Sequence, residues 1–232
     1  MLVMRYYPLL LDLTGMHCLV IGTGEVGLRK IKGLLQCAPK LVMAVDPAPP
    51  GPEVAGLLAT QDNFSYEQRP FAETDLDHAQ IVFACTSNRT VNATVGQACM
   101  TRGILCNMTD APELGNFVLP ASITRGDLTI SISTNGASPA LARVIRQDLE
   151  TRYGPEYEAM TRLLAGIRAD LLALGRSSDD NREIFRRLAA SPLPELIRHN
   201  DRHACLELLR AVLPTDLHPR IGEWCNDCFP NF

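Results

Sequence analysis

A glycine-rich turn between an apolar run and an amphipathic stretch constrains this chain more than any other feature. The apolar run at 19–21 leads into Gly22, Gly24 and Gly27, which are spaced as G-x-G-x-x-G. In a strand–turn–helix unit the first glycine permits the turn, the second lets a pyrophosphate approach the backbone, and the third lets the helix pack on the strand. Backbone N–H groups and the dipole at the helix start favour an anion. The pattern predicts a dinucleotide site; the alternative is a glycine-rich turn that binds no ligand.

An acidic residue at the end of the next apolar run indicates which dinucleotide binds. The run at 41–45 ends at Asp46, about 20 residues beyond the glycines, where an acidic side chain binds the ribose 2′-hydroxyl in such domains. Since a carboxylate repels a 2′-phosphate, Asp46 favours NAD over NADP. Pro47 follows it and is expected to fix the loop around the adenosine.

Strand and helix signals alternate over the first half of the chain. Strands are predicted at 16–22, 40–46, 64–66, 81–84 and 104–107, and helices at 25–37, at 53–60 and from 86–88 to about 102. This alternation predicts a Rossmann-like parallel sheet of the α/β class. The lead-in at 6–11 is expected to lie along the sheet edge and to pack against the core.

Beyond residue 113 the pattern changes to a short strand pair followed only by helices. Strands predicted at 117–120 and 128–133 are joined by a turn at 125–127, so they are expected to pair antiparallel. Ser138 as N-cap and Pro139 at the first helical position begin a helix that runs to about residue 152. One face of that helix is apolar and carries Leu141, Val144, Ile145 and Leu149. The predicted divisions are a Rossmann domain at 1–113, a strand–helix segment at 114–152 and an all-helical domain at 153–232.

Charge and composition exclude several classes of protein. The net charge is −4 and the Lys and Arg residues are spread along the chain, which argues against a nucleic-acid partner. No apolar run reaches the roughly 20 residues that span a bilayer, and the N-terminus lacks a secretory signal. Five of the eight cysteines lie in or beside apolar runs, as reduced, buried cysteines do. The chain is therefore predicted to be cytoplasmic, with no membrane partner.

Four stretches carry a more specific signal than the glycine turn alone. They are GTGEVGLRK at 22–30, ACTS at 84–87 with Val91-Asn92 after it, LCNMTDAP at 105–112 with Asn116-Phe117 and Pro120 after it, and SISTNGASPALAR at 131–143. In order and spacing they resemble the precorrin-2 dehydrogenase family, which includes the N-terminal part of sirohaem synthases. The resemblance covers residues 5 to about 150.

This resemblance implies a function and an assembly. The family transfers a hydride from precorrin-2 to NAD⁺ and yields sirohydrochlorin, and some members also insert Fe²⁺, as a substrate, to make sirohaem. It further implies a homodimer in which the segment at 114–152 exchanges between subunits, and a helical C-terminal domain that covers a tetrapyrrole cleft. No resident metal is expected.

The resemblance also assigns the catalytic and cofactor-binding residues. The family's essential carboxylate matches Asp110, which can accept the proton that leaves the substrate; the alternative is an Asx-turn before Pro112. The implied cofactor contacts are Gly22, Gly24, Glu25, Val26, Gly27, Asp46 and Pro47, with Thr86 and Ser87 beside the nicotinamide. For Thr86 and Ser87 the alternative is plain helix capping.

The substrate carries acetate and propionate carboxylates on each ring, so its pocket needs cations and polar groups. The expected substrate-binding residues are Asn107, Thr134, Ser138, Arg143 and Arg146, and Arg125 is a further candidate. For the arginines the alternative is a solvated helix face. Thr134 stands where some relatives have a serine facing the cleft, and this departure from the family pattern keeps a hydroxyl.

Two residue pairs outside these stretches offer weaker chemistry. Cys225 and Cys228 form a single C-x-x-C, which cannot complete a tetrahedral zinc site alone. His199 and His203 have the spacing of two metal ligands on one helix, but no H-E-x-x-H is present. The functional alternatives are a bifunctional dehydrogenase and ferrochelatase, and a non-catalytic NAD-binding sensor. A short-chain oxidoreductase is disfavoured because the sequence contains no Tyr-x-x-x-Lys pair.

Overall fold

The computed structural model describes residues 6–229. The chain separates into two compact units, of which the first ends at Leu119 and the second begins at Pro120. The finer division at 113/114 and 152/153 stays a prediction.

The first unit is built on a parallel sheet of five strands. The strands are β1 (His17–Ile21), β2 (Leu41–Asp46), β3 (Phe64–Gln68), β4 (Ile81–Ala84) and β5 (Leu105–Met108). They lie in the order β3-β2-β1-β4-β5. The α/β fold class is thereby confirmed. The strand order reverses between β1 and β4, and ligands of such sheets bind outside the carboxyl ends of the strands at that reversal.

Helices cover both faces of this sheet. They are α1 (Glu25–Leu35), α2 (Pro52–Thr60) and α3 (Arg89–Arg102), with 3₁₀ turns at Glu73–Leu76 and Pro112–Leu114. Alternate residues of β1 point to opposite faces: Val20 packs with Ile31 of α1, while Leu19 packs with Val95 of α3. Both layers are buried, so within the sheet it is the strand ends that are open to a ligand.

The outer edge of β5 is completed by one side chain rather than by another strand. The Asn116 Oδ1 accepts from the Cys106 N–H at 2.8 Å, and its Nδ2 donates to the Ile104 carbonyl at 2.9 Å. Its backbone N–H also donates to the Cys106 carbonyl. The strand predicted at 117–120 is therefore wrong, because Phe117 packs edge-on against Phe83 and Pro120 has no N–H for a ladder.

The prediction for the lead-in is also wrong. Residues 7–11 are exposed and form no strand, and the first buried side chain is Leu13. Pro8 lacks the N–H that a sheet edge would pair, so apolar content alone does not anchor this segment.

The second unit begins with a hairpin and a helix. Strands β6 (Ala121–Arg125) and β7 (Leu128–Ile132) pair antiparallel, and Arg125 opposes Leu128 across a turn in which Gly126 has φ +54°. Helix α4 (Pro139–Arg152) follows and packs on the hairpin. The Ser138 hydroxyl accepts from the Leu141 N–H, which confirms the predicted cap.

Five further helices complete this unit around one apolar cluster. They are α5 (Glu156–Ala173), α6 (Ser178–Ala189), α7 (Leu193–Arg198), α8 (Arg202–Val212) and α9 (Ile221–Cys228), with a 3₁₀ segment at Thr215–Arg220. Leu163, Ile167 and Leu171 recur at helical spacing on α5 and are buried in that cluster. No helix within residues 6–229 is both long and apolar enough to cross a membrane.

Candidate active site

Two of the three glycines in the turn after β1 are required by the protein's own packing. Gly22 has φ +91°, and a Cβ there would lie 2.9 Å from backbone atoms of Cys85 and Thr86. A Cβ on Gly27 would lie 1.9 Å from the Gly22 carbonyl oxygen. The first and third glycines thus let the turn, α1 and the end of β4 approach one another.

The middle glycine faces open space instead. A Cβ on Gly24 would meet no atom within 4 Å. Gly24 is the N-cap of α1 and provides no side-chain cap, and its carbonyl accepts from Leu28. The N–H groups of Glu25 and Val26 in the first turn therefore face a position that a pyrophosphate can approach. The cradle fits a dinucleotide.

Asp46 is bonded to this turn. Its Oδ2 accepts from the Thr23 N–H at 2.7 Å and from the Thr23 hydroxyl at 3.1 Å, and its Oδ1 accepts from the Ala48 N–H at 2.9 Å. The Tyr66 hydroxyl donates to the Ala48 carbonyl at 2.5 Å, and burial raises the pKa of that hydroxyl. Pro47 lies exposed between these contacts. Sequence reasoning missed Thr23, whose position inside the glycine motif was the available signal.

A buried amide connects Thr86 to Asp110. The Asn92 side chain donates to the Thr86 carbonyl at 3.0 Å and to the Asp110 Oδ1 at 3.1 Å, and its own Oδ1 accepts from the Thr86 hydroxyl at 2.7 Å. Asn92 is 1% exposed, whereas Asp110 is exposed. Asn92 was not predicted as a site residue. The signal was a polar residue in the otherwise apolar stripe that α3 buries.

The structural alternatives for Asp110, Thr86 and Ser87 were an Asx-turn and helix capping, and they have different outcomes. Pro112 has no N–H to close an Asx-turn on Asp110, and within residues 6–229 the Asp110 carboxylate is hydrogen-bonded to Asn92. The N-cap of α3 is Asn88, whose side chain accepts from two backbone N–H groups of the first turn. The Thr86 hydroxyl accepts from the Asn88 N–H, so Thr86 also supports that cap, while Ser87 is exposed.

A half-buried cation and a thiol lie next to this edge. The Lys30 ammonium lies 5.9 Å from the centre of the Phe83 ring, and burial lowers the pKa of Lys30. The Cys85 Sγ lies 3.5 Å from the Thr109 hydroxyl, and burial raises the pKa of this thiol. Lys30 and Asp110 act on Cys85 with opposite electrostatic effects. Cys85 therefore lines the end of β4 as a neutral group.

The predicted substrate-binding residue Asn107 has a partner inside the protein. Its side chain is buried, and its Nδ2 donates to the Phe117 carbonyl at 3.1 Å. This bond ties the returning chain to β5. The binding role of Asn107 stays a prediction.

In the second unit, the predicted hydroxyls both stabilise the turn before α4. The Thr134 hydroxyl accepts from the Ser138 N–H at 3.1 Å, and the Ser138 hydroxyl accepts from the Leu141 N–H at 3.2 Å. Asn135 and Gly136 have φ +50° and +82°. Either hydroxyl amino acid can make the Thr134 contact, so the turn needs no serine there.

The three candidate arginines of this unit differ in their partners. Arg125 donates from Nε to the Tyr153 carbonyl at 3.0 Å, and Arg146 is ion-paired with Glu150. Arg143 is exposed, and among the described residues no carboxylate pairs with it. Of these three arginines, Arg143 is therefore the one whose guanidinium is most available to a ligand carboxylate.

The remaining cysteine and histidine pairs do not assemble into a site. The Cys225 Sγ lies 3.9 Å from the Cys205 Sγ, and the Cys228 thiol donates to the Ala159 carbonyl. His199 follows α7 whereas His203 lies in α8, so they do not share a helix. Among the described residues, no three Cys, His, Asp or Glu side chains converge as metal ligands would.

Comparison with known proteins matches both units. Residues 9–121 match a family described as "Putative NAD(P)-binding", and residues 125–152 match the family "Sirohaem biosynthesis protein central". A solved structure titled "SirC, precorrin-2 dehydrogenase" is 27% identical with a TM-score of 0.74, and the alignment covers 89% of this chain and 98% of that one.

Curated relatives give the same result over a longer stretch of sequence. The sirohaem synthase of Thioalkalivibrio sulfidiphilus is 34% identical over 94% of this chain, and that of Methylococcus capsulatus is 34% identical over 83%. The aligned regions are 44% and 40% of those proteins, so the chain spans less than half the length of these relatives. The chain belongs to the family formed by the N-terminal region of sirohaem synthases and SirC-like precorrin-2 dehydrogenases, with an NAD(P)-binding domain followed by a sirohaem synthase central domain.

Proposed function

We propose that this protein oxidises precorrin-2 to sirohydrochlorin with a nicotinamide dinucleotide as hydride acceptor. One observation carries the proposal: the glycine turn abuts the Thr86 backbone, and Asn92 joins Thr86 to the exposed carboxylate of Asp110. A carboxylate thus lies one buried side chain away from the residue that contacts the cofactor turn. The relatives named above support the substrate class.

The residues divide the chemistry between binding and proton transfer. A bound oxidised dinucleotide supplies the acceptor for the hydride that the substrate loses. The open N-terminus of α1 binds the pyrophosphate, and Asp110 accepts the proton that accompanies the hydride, at the carboxylate oxygen that Asn92 does not contact. The hydride itself consists of two electrons and one proton. A second proton goes to Asp110, so the oxidation balances.

Asp46 makes NAD the proposed cofactor rather than NADP. Its carboxylate is held at the end of β2 by Thr23 and Ala48, close to where an adenosine ribose binds in such folds. We expect the wild type to prefer NAD⁺, and Asp46→Asn to lower the NAD⁺-to-NADP⁺ ratio of kcat/KM by about tenfold, equivalent to roughly 1.4 kcal/mol. Asp62→Asn, an exposed acid elsewhere in the unit, is the matched control. Equal use of both cofactors by the wild type would contradict this assignment.

We also propose that the chain forms a homodimer through α4. Leu141, Val144 and Ile145 lie on the predicted apolar face of this helix and are exposed in the single chain. An apolar stripe of this kind on a helix that packs on a two-stranded hairpin indicates a partner surface.

Metal insertion is a second candidate function, favoured by the open oxygen of Asp110. A carboxylate that accepts a proton in the oxidation can also accept a pyrrole proton when Fe²⁺ enters sirohydrochlorin. A non-catalytic NAD-binding sensor would bind the dinucleotide but would need no reactive carboxylate.

The decisive experiment follows sirohydrochlorin absorbance with precorrin-2, with and without NAD⁺. We expect NAD⁺-dependent product from the wild type and a loss of about 10²–10⁴-fold in kcat for Asp110→Ala. NAD⁺ affinity should stay within twofold, and Asp62→Ala should behave as wild type. A second arm supplies sirohydrochlorin and Co²⁺ or Fe²⁺ without NAD⁺, where metal insertion would establish the second activity. Normal oxidation by Asp110→Ala would refute the catalytic assignment.

A further inference from the structure

We infer that Asn92 is the positioning residue for Asp110, an inference that rests on the proposed function. Every polar atom of the Asn92 side chain is used: both Nδ2 hydrogens donate, one to the Thr86 carbonyl and one to Asp110, and Oδ1 accepts from the Thr86 hydroxyl. A buried amide with all its partners in place has one orientation. Turning it over would set its oxygen against the Thr86 carbonyl and the Asp110 carboxylate.

The two residues joined by this bond lie in different kinds of structure, Asn92 in a helix and Asp110 in a loop. Asn92 lies in the first half of α3, which begins at the Asn88 cap and buries Val95 and Cys99 on the same stripe. Asp110 is exposed on the short connection between β5 and the 3₁₀ turn that starts at Pro112. A rigid helix therefore restrains a side chain on a loop, which is how reactive groups are held in productive geometry.

The bond also gives the two oxygens of the Asp110 carboxylate different surroundings. Oδ1 faces the buried amide, and Oδ2 is left for the substrate. An N–H donor stabilises the ionised form of a carboxylate, which is the form that accepts a proton. Asn92 thus acts through Asp110 and needs no contact with substrate.

Replacing the Asn92 amide by a carboxylate turns its hydrogen bond with Asp110 into a repulsion between two acids. Asn92→Asp has the same shape but puts a second carboxylate about 3 Å from Asp110, and two carboxylates at that distance share a proton. The other ionisable groups at this edge are Cys85 at the end of β4 and, from α1, Arg29 and Lys30. Burial raises the pKa of the Cys85 thiol, and the charges of Lys30 and Arg29 offset part of that rise. All three remain unchanged in this variant, so a change in its pH profile reports on the pair.

The test compares three single variants with the wild type under the precorrin-2 and NAD⁺ assay. We expect Asn92→Ala to lower kcat by about 10–100-fold while both KM values change by less than twofold, because misplacing a reacting group costs rate rather than binding. Asn92→Asp should move the acidic limb of the kcat profile upward by about one pH unit or more. The matched control is Asn88→Asp on the same helix, which should match the wild type because its oxygen only accepts from backbone N–H groups.

A double variant separates positioning from simple packing. Asn92→Asp with Asp110→Asn restores an amide–carboxylate pair with donor and acceptor exchanged. It should regain the part of the thermal stability that the facing carboxylates cost, but not the part lost at the Thr86 carbonyl, and it should not regain turnover. An unchanged kcat and pH profile in both Asn92 variants, beside an inactive Asp110→Ala, would overturn this inference alone. Absence of NAD⁺-dependent turnover in the wild type would overturn the proposed function together with it.

Discussion

The two units cover their apolar surface in different ways. In the first, both faces of the sheet are fully covered by helices of the same unit, as the complete burial of Val20 and Val82 shows. In the second, the face of α5 that carries Leu163 and Ile167 is buried within its helical cluster, whereas Val144 and Leu141 on α4 remain 61% and 51% exposed. The most exposed apolar residues of the first unit, Tyr7, Leu9 and Leu10, lie in the lead-in and not on the sheet, whereas the second unit presents an apolar helix face suited to another polypeptide.

The two units also differ in how far they tolerate a change of side chain. The glycine turn of the first unit tolerates almost no added atom at Gly22 and Gly27. The α4 surface has no such constraint, because its side chains lie in solvent in the single chain. Substitutions should therefore damage folding in the first unit and association in the second.

The largest expected effect is on the stability of the first unit. Gly27→Ala places a Cβ 1.9 Å from a backbone oxygen, which no side-chain adjustment can relieve. We expect a loss of about 3 kcal/mol or more in the free energy of unfolding, together with loss of NAD⁺ binding. Urea denaturation and NAD⁺ titration measure both.

Gly33→Ala on the same helix is the control for that prediction. A Cβ at Gly33 meets no atom within 4 Å, and the residue is exposed. Its expected effect is a gain of about 0.5–1 kcal/mol. Equal stability of the two variants would show that the close approach of α1 to the turn is not required.

The next effect concerns association through α4. Val144→Glu places a charge in the centre of the apolar face, and we expect the dimer dissociation constant to rise about 100-fold, or roughly 2.7 kcal/mol. The free energy of unfolding of the single chain should change little, because Val144 is exposed in it. Sedimentation equilibrium measures the dissociation constant.

Gln147→Glu adds the same charge on another exposed position of α4 and should leave association unchanged. If both variants dimerise like the wild type, the comparison between the units fails, and the α4 surface has another use.

The smallest expected effect distinguishes Arg143 from Arg146, two of the three arginines of α4. Arg143 lacks an ion-pair partner among residues 6–229, while Arg146 is paired with Glu150. Losing one charge-assisted bond to a substrate carboxylate should raise the KM for precorrin-2 about tenfold in Arg143→Ala, with kcat preserved. Arg146→Ala should raise it less, because Glu150 already occupies that guanidinium. A larger effect for Arg146→Ala would reverse the assignment.

Sequence predicted the first unit better than the second for a physical reason. The glycine motif, the buried strands and the acid after β2 depend on local geometry that recurs wherever the chain enters such a turn. The partners of Thr23 and Asn92 lie 23 and 18 residues away, so the local patterns contain both residues without showing what they bind. Asn92 stands in one of the four family stretches and is a polar residue in an apolar stripe, but neither feature identifies Asp110 as its partner.

The errors after β5 have the same origin. Residues 117–120 have strand-like composition, but Asn116 and the packing of Phe117 settle that stretch, and the strand starts at Ala121. The cap and first turn of α4 were predicted correctly because Ser138-Pro139 acts locally. The ends of the later helices depend on the cluster they enclose, which periodicity does not reveal.

The amide of Asn116 has a consequence for how this protein can polymerise. Over residues 104–106 it occupies the donor and acceptor that an incoming strand would need. A sheet finished by a side chain offers no template there for runaway strand addition, a known route to insoluble fibres. Strand addition between copies of this protein is therefore blocked at this edge of the sheet. We expect Asn116→Ala to make the protein more prone to precipitate as it is concentrated.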